Sequence, residues 1–211
     1  MKNTSIQNKL QPADAATVIY ILLTGLLIVT GWNRLTNPGI HLLLRGLALF
    51  VMYLLIRYAD KNDLLYLLRN FYTILFLIFW YPETDYLNNL FFDYFDPLVA
   101  GWEQILFGMQ PSLIFAQKTD FRWFSELMSL GYFSFYLIIF FVLLAVLKNR
   151  PDRFAYSLYL VVGSFYVYYL VFIIFPVAGP QYYFKEATPG LPEGYLFSHL
   201  MHIIEQTAER P

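Results

Sequence analysis

Five long apolar stretches constrain this chain more than any other feature: Ala15–Trp32, Gly39–Tyr58, Leu64–Tyr81, Leu127–Leu147 and Phe154–Pro176. A bilayer core takes about 20 residues of helix to cross and offers no water to an unpaired backbone amide or carbonyl. Each stretch is therefore expected to be a membrane-spanning helix. The fold class that follows is all-α: a polytopic integral membrane helical bundle, a single membrane domain over residues 1–211. The first, fourth and fifth stretches carry no charge, whereas the second holds His41, Arg45 and Arg57 and the third Arg69.

Composition agrees. The chain is 58% hydrophobic and 14% charged, against roughly 25% charged in a soluble domain. That is too little charge to cover a water-facing surface, and it excludes a disordered chain, which would be poor in hydrophobic residues. A formal net charge of −1 supplies no basic field for a phosphodiester backbone, so no nucleic-acid partner is expected. The absence of cysteine excludes disulfides, thiolate nucleophiles and Cys-ligated zinc.

Basic residues are retained on the cytoplasmic side of membrane spans. With the N-terminus inside, the inner flanks hold Lys2, Lys9, Arg57, Lys61, Lys148, Arg150 and Arg153. The long outer segment is acidic, with Glu83, Asp85, Asp93, Asp96, Glu103, Asp120 and Glu126. The expected orientation is N-terminus cytoplasmic and C-terminal end on the outer side. The first apolar run exceeds the ~7–15 residues of a signal-peptide core, and no A-x-A-like site follows such a core before Trp32, so a retained anchor is expected. Asn3-Thr4-Ser5 fits a glycosylation sequon but lies on the inner side in this orientation.

Residues 83–125 are too many for a plain connection. Leu87, Leu90, Phe91, Phe95, Leu98, Trp102, Ile105 and Leu106 recur at helical spacing, with Asn88, Asn89, Asp93, Asp96 and Glu103 mostly opposite. The pattern predicts an amphipathic segment at the membrane interface, broken into two short helices at Pro97. Gly163 and Ser164 offer a close-approach point between helices.

Few residues offer chemistry. Asp93 and Asp96 stand three apart, a spacing that suits a divalent cation but is read as a solvated polar face. His199 and His202 share a helical face without a third ligand, so no metal site is assigned. Arg45 lies one turn from His41, where both could meet an anion in an outer-leaflet cavity or reach for headgroups. Arg57 and Arg69 are expected to snorkel.

Phe175-Pro-Val-Ala-Gly-Pro-Gln-Tyr-Tyr-Phe184 closes the fifth stretch, and its proline and glycine end the helix, freeing amides around Gly179 to face an anion. This string resembles the first signature of membrane phosphatidic acid phosphatase type 2-like proteins, in the inositol phosphorylceramide synthase-like branch. Trp102-Glu-Gln-Ile-Leu-Phe-Gly-Met-Gln-Pro-Ser112 and Glu126-Leu-Met-Ser-Leu-Gly-Tyr132 resemble its preceding segments, in the same order.

The resemblance implies a membrane-embedded lipid phosphatase or phosphotransferase that attacks a phosphorylated lipid substrate with a histidine, a second histidine moving the proton. It implies no metal and no cofactor. Its substrate-binding residues here are Gly179, Pro180, Gln181 and Tyr182, with Tyr183 and Lys185 next in line and Gln181 standing where many relatives carry arginine. The family's Pro-Ser-Ser-His-like string is missing from these 211 residues. The expectation is a chain cut before its catalytic histidines, with no catalytic residue of its own and membrane lipids as its partners. The alternatives are a non-catalytic scaffold or subunit, and a small transporter using His41 and Arg45.

Overall fold

The structure, a computed structural model, describes residues 10–119, 121–184, 194–197, 199 and 200. Nine helices run through these residues: α1 (Pro12–Thr30), α2 (Pro38–Tyr58), α3 (Asp63–Trp80), α4 (Thr84–Leu87), α5 (Asp96–Phe107), α6 (Pro111–Lys118), α7 (Arg122–Asn149), α8 (Pro151–Ile174) and α9 (Pro180–Tyr183). A 3-10 turn, Trp32–Arg34, links α1 to α2, and the described residues contain no strand. Helices α1, α2, α3, α7 and α8 are long and apolar enough to cross a membrane. They correspond to the five apolar stretches, and the all-α polytopic bundle is the fold.

Prolines account for many of the helix starts. Pro12, Pro38, Pro97, Pro111, Pro151 and Pro180 each occupy the first or second position of a helix, where the missing N–H has no intrahelical partner to lose. Pro97 thus opens α5, where the spacing predicts that it breaks a longer helical segment in two. Asn62 starts α3 by accepting the Leu65 amide at 2.8 Å, a side-chain cap.

The chain divides into two compact units. The first comprises residues 1–92 and 145–174. Here α1 packs most extensively on α8, then on α2 and α3. Its buried face is Ala13, Asp14, Thr17, Tyr20, Ile21, Thr24 and Ile28, a helical stripe that is half polar. One end is sealed by Ile28, Leu35, Leu87, Leu90 and Ile173. Gly31 lies so close to Leu90 that a Cβ there would sit 2.5 Å from its Cγ. Gly163 and Ser164 do not join helices: the nearest atom to a Cβ at Gly163 belongs to Tyr159 of the same helix, at 3.7 Å, and the Ser164 hydroxyl donates to the Leu160 carbonyl at 2.6 Å.

The second unit comprises residues 93–144 and 175–211. Gly108, at φ 66°, ends α5 in the left-handed conformation, and the Gln110 amide donates back to the Ala100 carbonyl at 3.0 Å. Along α5 only Asp96 is buried, while Leu98, Trp102, Ile105 and Leu106 are exposed, the surface of a helix that meets apolar surroundings. Phe135, Ile138, Phe141 and Val142 of α7 are likewise exposed.

Candidate functional site

Beyond α8 the chain turns sharply at Pro176–Pro180, and one carboxylate holds that turn. Asp96, 5% exposed at the start of α5, accepts the Ala178 amide at 2.9 Å on Oδ2 and the Gly179 amide at 2.8 Å on Oδ1. An ionised acceptor makes each bond stronger than a neutral one. Gly179 adopts φ 94° and ψ 161°, a region essentially closed to side chains with a Cβ. Its carbonyl accepts the Tyr182 and Tyr183 amides at 3.1 and 2.9 Å, which folds Pro180–Tyr183 into one helical turn. Alongside, the Phe95 amide donates to the Pro176 carbonyl at 2.9 Å, and the Phe95 and Phe175 rings stack at 4.7 Å. A shallow cleft opens beside the turn, lined by Asp96, Glu103, Gly179, Pro180, Tyr183 and Phe184 among others.

Of the expected headgroup-binding residues, Gly179 is half-buried, and Pro180, Gln181 and Tyr182 are exposed. Two of the amides expected to face an anion, those of Ala178 and Gly179, are already taken by Asp96. The turn therefore presents the side chains of Gln181 and Tyr182. Asp93 and Asp96 are not paired on one helical face: Asp93 is exposed ahead of α5, and only Asp96 is helical. The Asn3 sequon, Lys185 and His202 lie outside the described residues.

The other two resembling strings also have structural work in this unit. The 102–112 string carries the Gly108 terminus of α5 and the Pro111 start of α6. Glu126 of the 126–132 string accepts the amides of Tyr195, Leu196 and Phe197 at 2.6–2.9 Å, and Phe133 meets Phe197 at 5.8 Å between ring centroids.

The intramembrane arginines correct the sequence reading. Arg45 neither snorkels nor waits for an outside anion. Its Nη1 and Nη2 donate to Glu83 Oε1 and Oε2 at 2.7 and 3.0 Å, and its Nε donates to the Thr24 hydroxyl at 3.2 Å. His41 Nδ1 lies 2.7 Å from the same Glu83 Oε1, and the guanidinium sits 5.1 Å from the Trp80 ring centroid. Arg69, expected to snorkel, is buried and bonded to Asp14 at 2.9 and 2.5 Å, with the Tyr72 hydroxyl donating to the same carboxylate. Arg57 is exposed in the last turn of α2, where it is free to snorkel. Neither acid gives a local signal of this role: Asp14 lies at the edge of an apolar stretch, and Glu83 lies in the segment between two of them. A buried arginine's need for a carboxylate was the available signal.

Fold and composition together define a multi-pass membrane protein. No family model, curated protein or solved structure matches the chain.

Proposed function

We propose that this chain is the membrane-embedded part of a phosphatidic acid phosphatase type 2-like phosphatase or phosphotransferase, and that it holds the phosphorylated headgroup of a phospholipid or sphingolipid. Gly179, Pro180, Gln181 and Tyr182 form the headgroup-facing turn. The observation that carries this reading is the Asp96 clamp on the amides of Ala178 and Gly179, which presets a turn whose side chains are exposed. In support, all three strings that carry the resemblance belong to the same compact unit. Because a Pro-Ser-Ser-His-like string is missing from these residues, the chain by itself binds and does not turn over substrate. The transporter alternative loses its motivating feature, since Glu83 already occupies His41 and Arg45.

The test is lipid binding by the chain in nanodiscs. The expected result is retention of phosphatidic acid in preference to phosphatidylcholine, with Gln181→Ala reducing the preference and no inorganic phosphate released. Equal retention of the two lipids is the result a scaffold would give, and it would overturn the proposal.

A further inference from the structure

The interior of the first unit is polar along much of its length. Asp14 and Thr24 both lie on the buried face of α1, ten residues and so about 15 Å apart at ~1.5 Å per residue. Asp14 carries the Arg69 pair, and Thr24 touches the Arg45–Glu83–His41 cluster. Between them the Tyr166 hydroxyl donates to the Thr17 hydroxyl at 3.3 Å. Tyr20 stacks on Tyr166 at 4.3 Å and lies 6.4 Å from Trp80, centroid to centroid.

Three polar atoms in this region have no hydrogen-bond partner among the described residues: Tyr20 OH, Thr73 Oγ1 and Trp80 Nε1. Their residues are 1%, 0% and 1% exposed. A polar group left unpaired in an apolar interior carries the full cost of its desolvation, and hydrocarbon has nothing to give it.

We propose that Tyr20, Thr73 and Trp80 bind internal water between the two ion pairs. The chemistry of the three groups selects this ligand. An indole N–H only donates, so the occupant must accept from it, and the two hydroxyls can each donate to it or accept from it. Each flanking arginine is matched by its own carboxylate, so no net charge is left to hold an ion. Water is the small neutral molecule that fits, and buried waters characteristically make two to four such bonds. On α3, Thr73 stands one turn beyond Arg69 and Trp80 lies against the Arg45 guanidinium, so the bound water occupies the stretch between the two ion pairs. The site lies in the first unit and does not depend on what the Gly179 turn binds.

Radiolytic hydroxyl-radical footprinting of the whole chain in nanodiscs tests this, because radicals generated from bound water oxidise the side chains beside it. The buried rings of Phe71 and Phe154, tilted against each other with centroids 5.7 Å apart, serve as dry references. Tyr20 and Trp80 are expected to be oxidised several-fold faster than these phenylalanines. Thr73→Val, which removes one water partner and keeps the shape, should lower both rates while leaving exposed Trp102 unchanged. Oxidation of Tyr20 and Trp80 no faster than that of Phe71 and Phe154 overturns the proposal. That comparison needs only the unsubstituted protein, so it stands even where Thr73→Val fails to fold.

Discussion

Arg69 and Asp14, 55 residues apart in sequence, form a two-point ion pair in which both side chains are within 1% of complete burial. Asp14 also accepts the Gln11 amide at 2.7 Å, so the same carboxylate caps α1 and neutralises α3. Breaking such a pair strands a charge. Asp14→Asn or Arg69→Met alone is expected to cost about 3–5 kcal/mol. Asp14→Leu with Arg69→Met leaves no charge unpaired and should recover much of that loss. Thermal unfolding in one detergent across the three variants checks the order, and additive losses would contradict it.

The Glu83 cluster joins α2 to the start of α4 and carries a graded expectation. Glu83→Ala leaves Arg45 buried without its carboxylate and should cost about 3–5 kcal/mol. Glu83→Gln keeps one acceptor and the shape, and should cost about 1.5–3 kcal/mol, the range for a bond to a charged group. Arg45→Lys keeps the charge but not the two-point geometry and should also destabilise. Unfolding midpoints ranked Ala below Gln below the unsubstituted protein are the expected outcome. An unchanged midpoint for Glu83→Ala would mean Arg45 is neutralised elsewhere.

These two clusters show where reading the sequence stops. The five spans were legible because hydropathy is a local property: each stretch announces its own helix. The partners of Arg45 and Arg69 were not, because pairing across 38 and 55 residues depends on which helices become neighbours. Hydropathy also hides Asp14, since a single acid at the edge of an apolar run reads as flank. The Gly179 turn was legible as a turn, from Pro176, Gly179 and Pro180. Its clamp was half-legible: Asp96-Pro97 is a helix-start signal, but nothing local says that this acid reaches amides 82 and 83 residues away.

Hydrogen exchange reads the clamp directly. Asp96→Asn retains one acceptor but turns an N–H group toward an amide donor, so one of the two bonds is lost. The Ala178 and Gly179 amides should exchange faster than in the unsubstituted protein, while amides in the middle of α1 keep their rates. Gly179→Ala forces a Cβ into φ 94°, at a cost of about 1–3 kcal/mol, and should accelerate the same two amides. Unchanged exchange at Ala178 and Gly179 in both variants would mean Asp96 does not hold the turn.

Orientation is accessible because the chain has no cysteine to remove. The basic flanks predict that Lys61 and Lys148 face the cytoplasm and the α1–α2 connection the other side. Single substitutions Lys61→Cys, Lys148→Cys and Asn33→Cys, all at exposed positions, report the side to a membrane-impermeant maleimide. In intact cells Asn33→Cys should label and the other two only after permeabilisation. The opposite pattern reverses the assignment.

Gln181 gives the sharpest probe of the proposed headgroup site. It is exposed on the turn that Asp96 sets, and its neutral amide can donate to a phosphate oxygen without contributing charge. An arginine there would add a cation and a planar fork of donors, making charge-assisted bonds roughly twice as strong as neutral ones. Gln181→Arg is therefore expected to tighten phosphatidic acid binding by about 1 kcal/mol, near fivefold in Kd, with phosphatidylcholine unaffected. Because surface charge alone attracts anionic lipid, a control arginine belongs at exposed Gln104 on α5. Equal tightening by Gln181→Arg and Gln104→Arg would reduce the effect to nonspecific attraction and remove the turn from the binding site. Tightening confined to Gln181→Arg requires the phosphate to approach this side of the Gly179 turn.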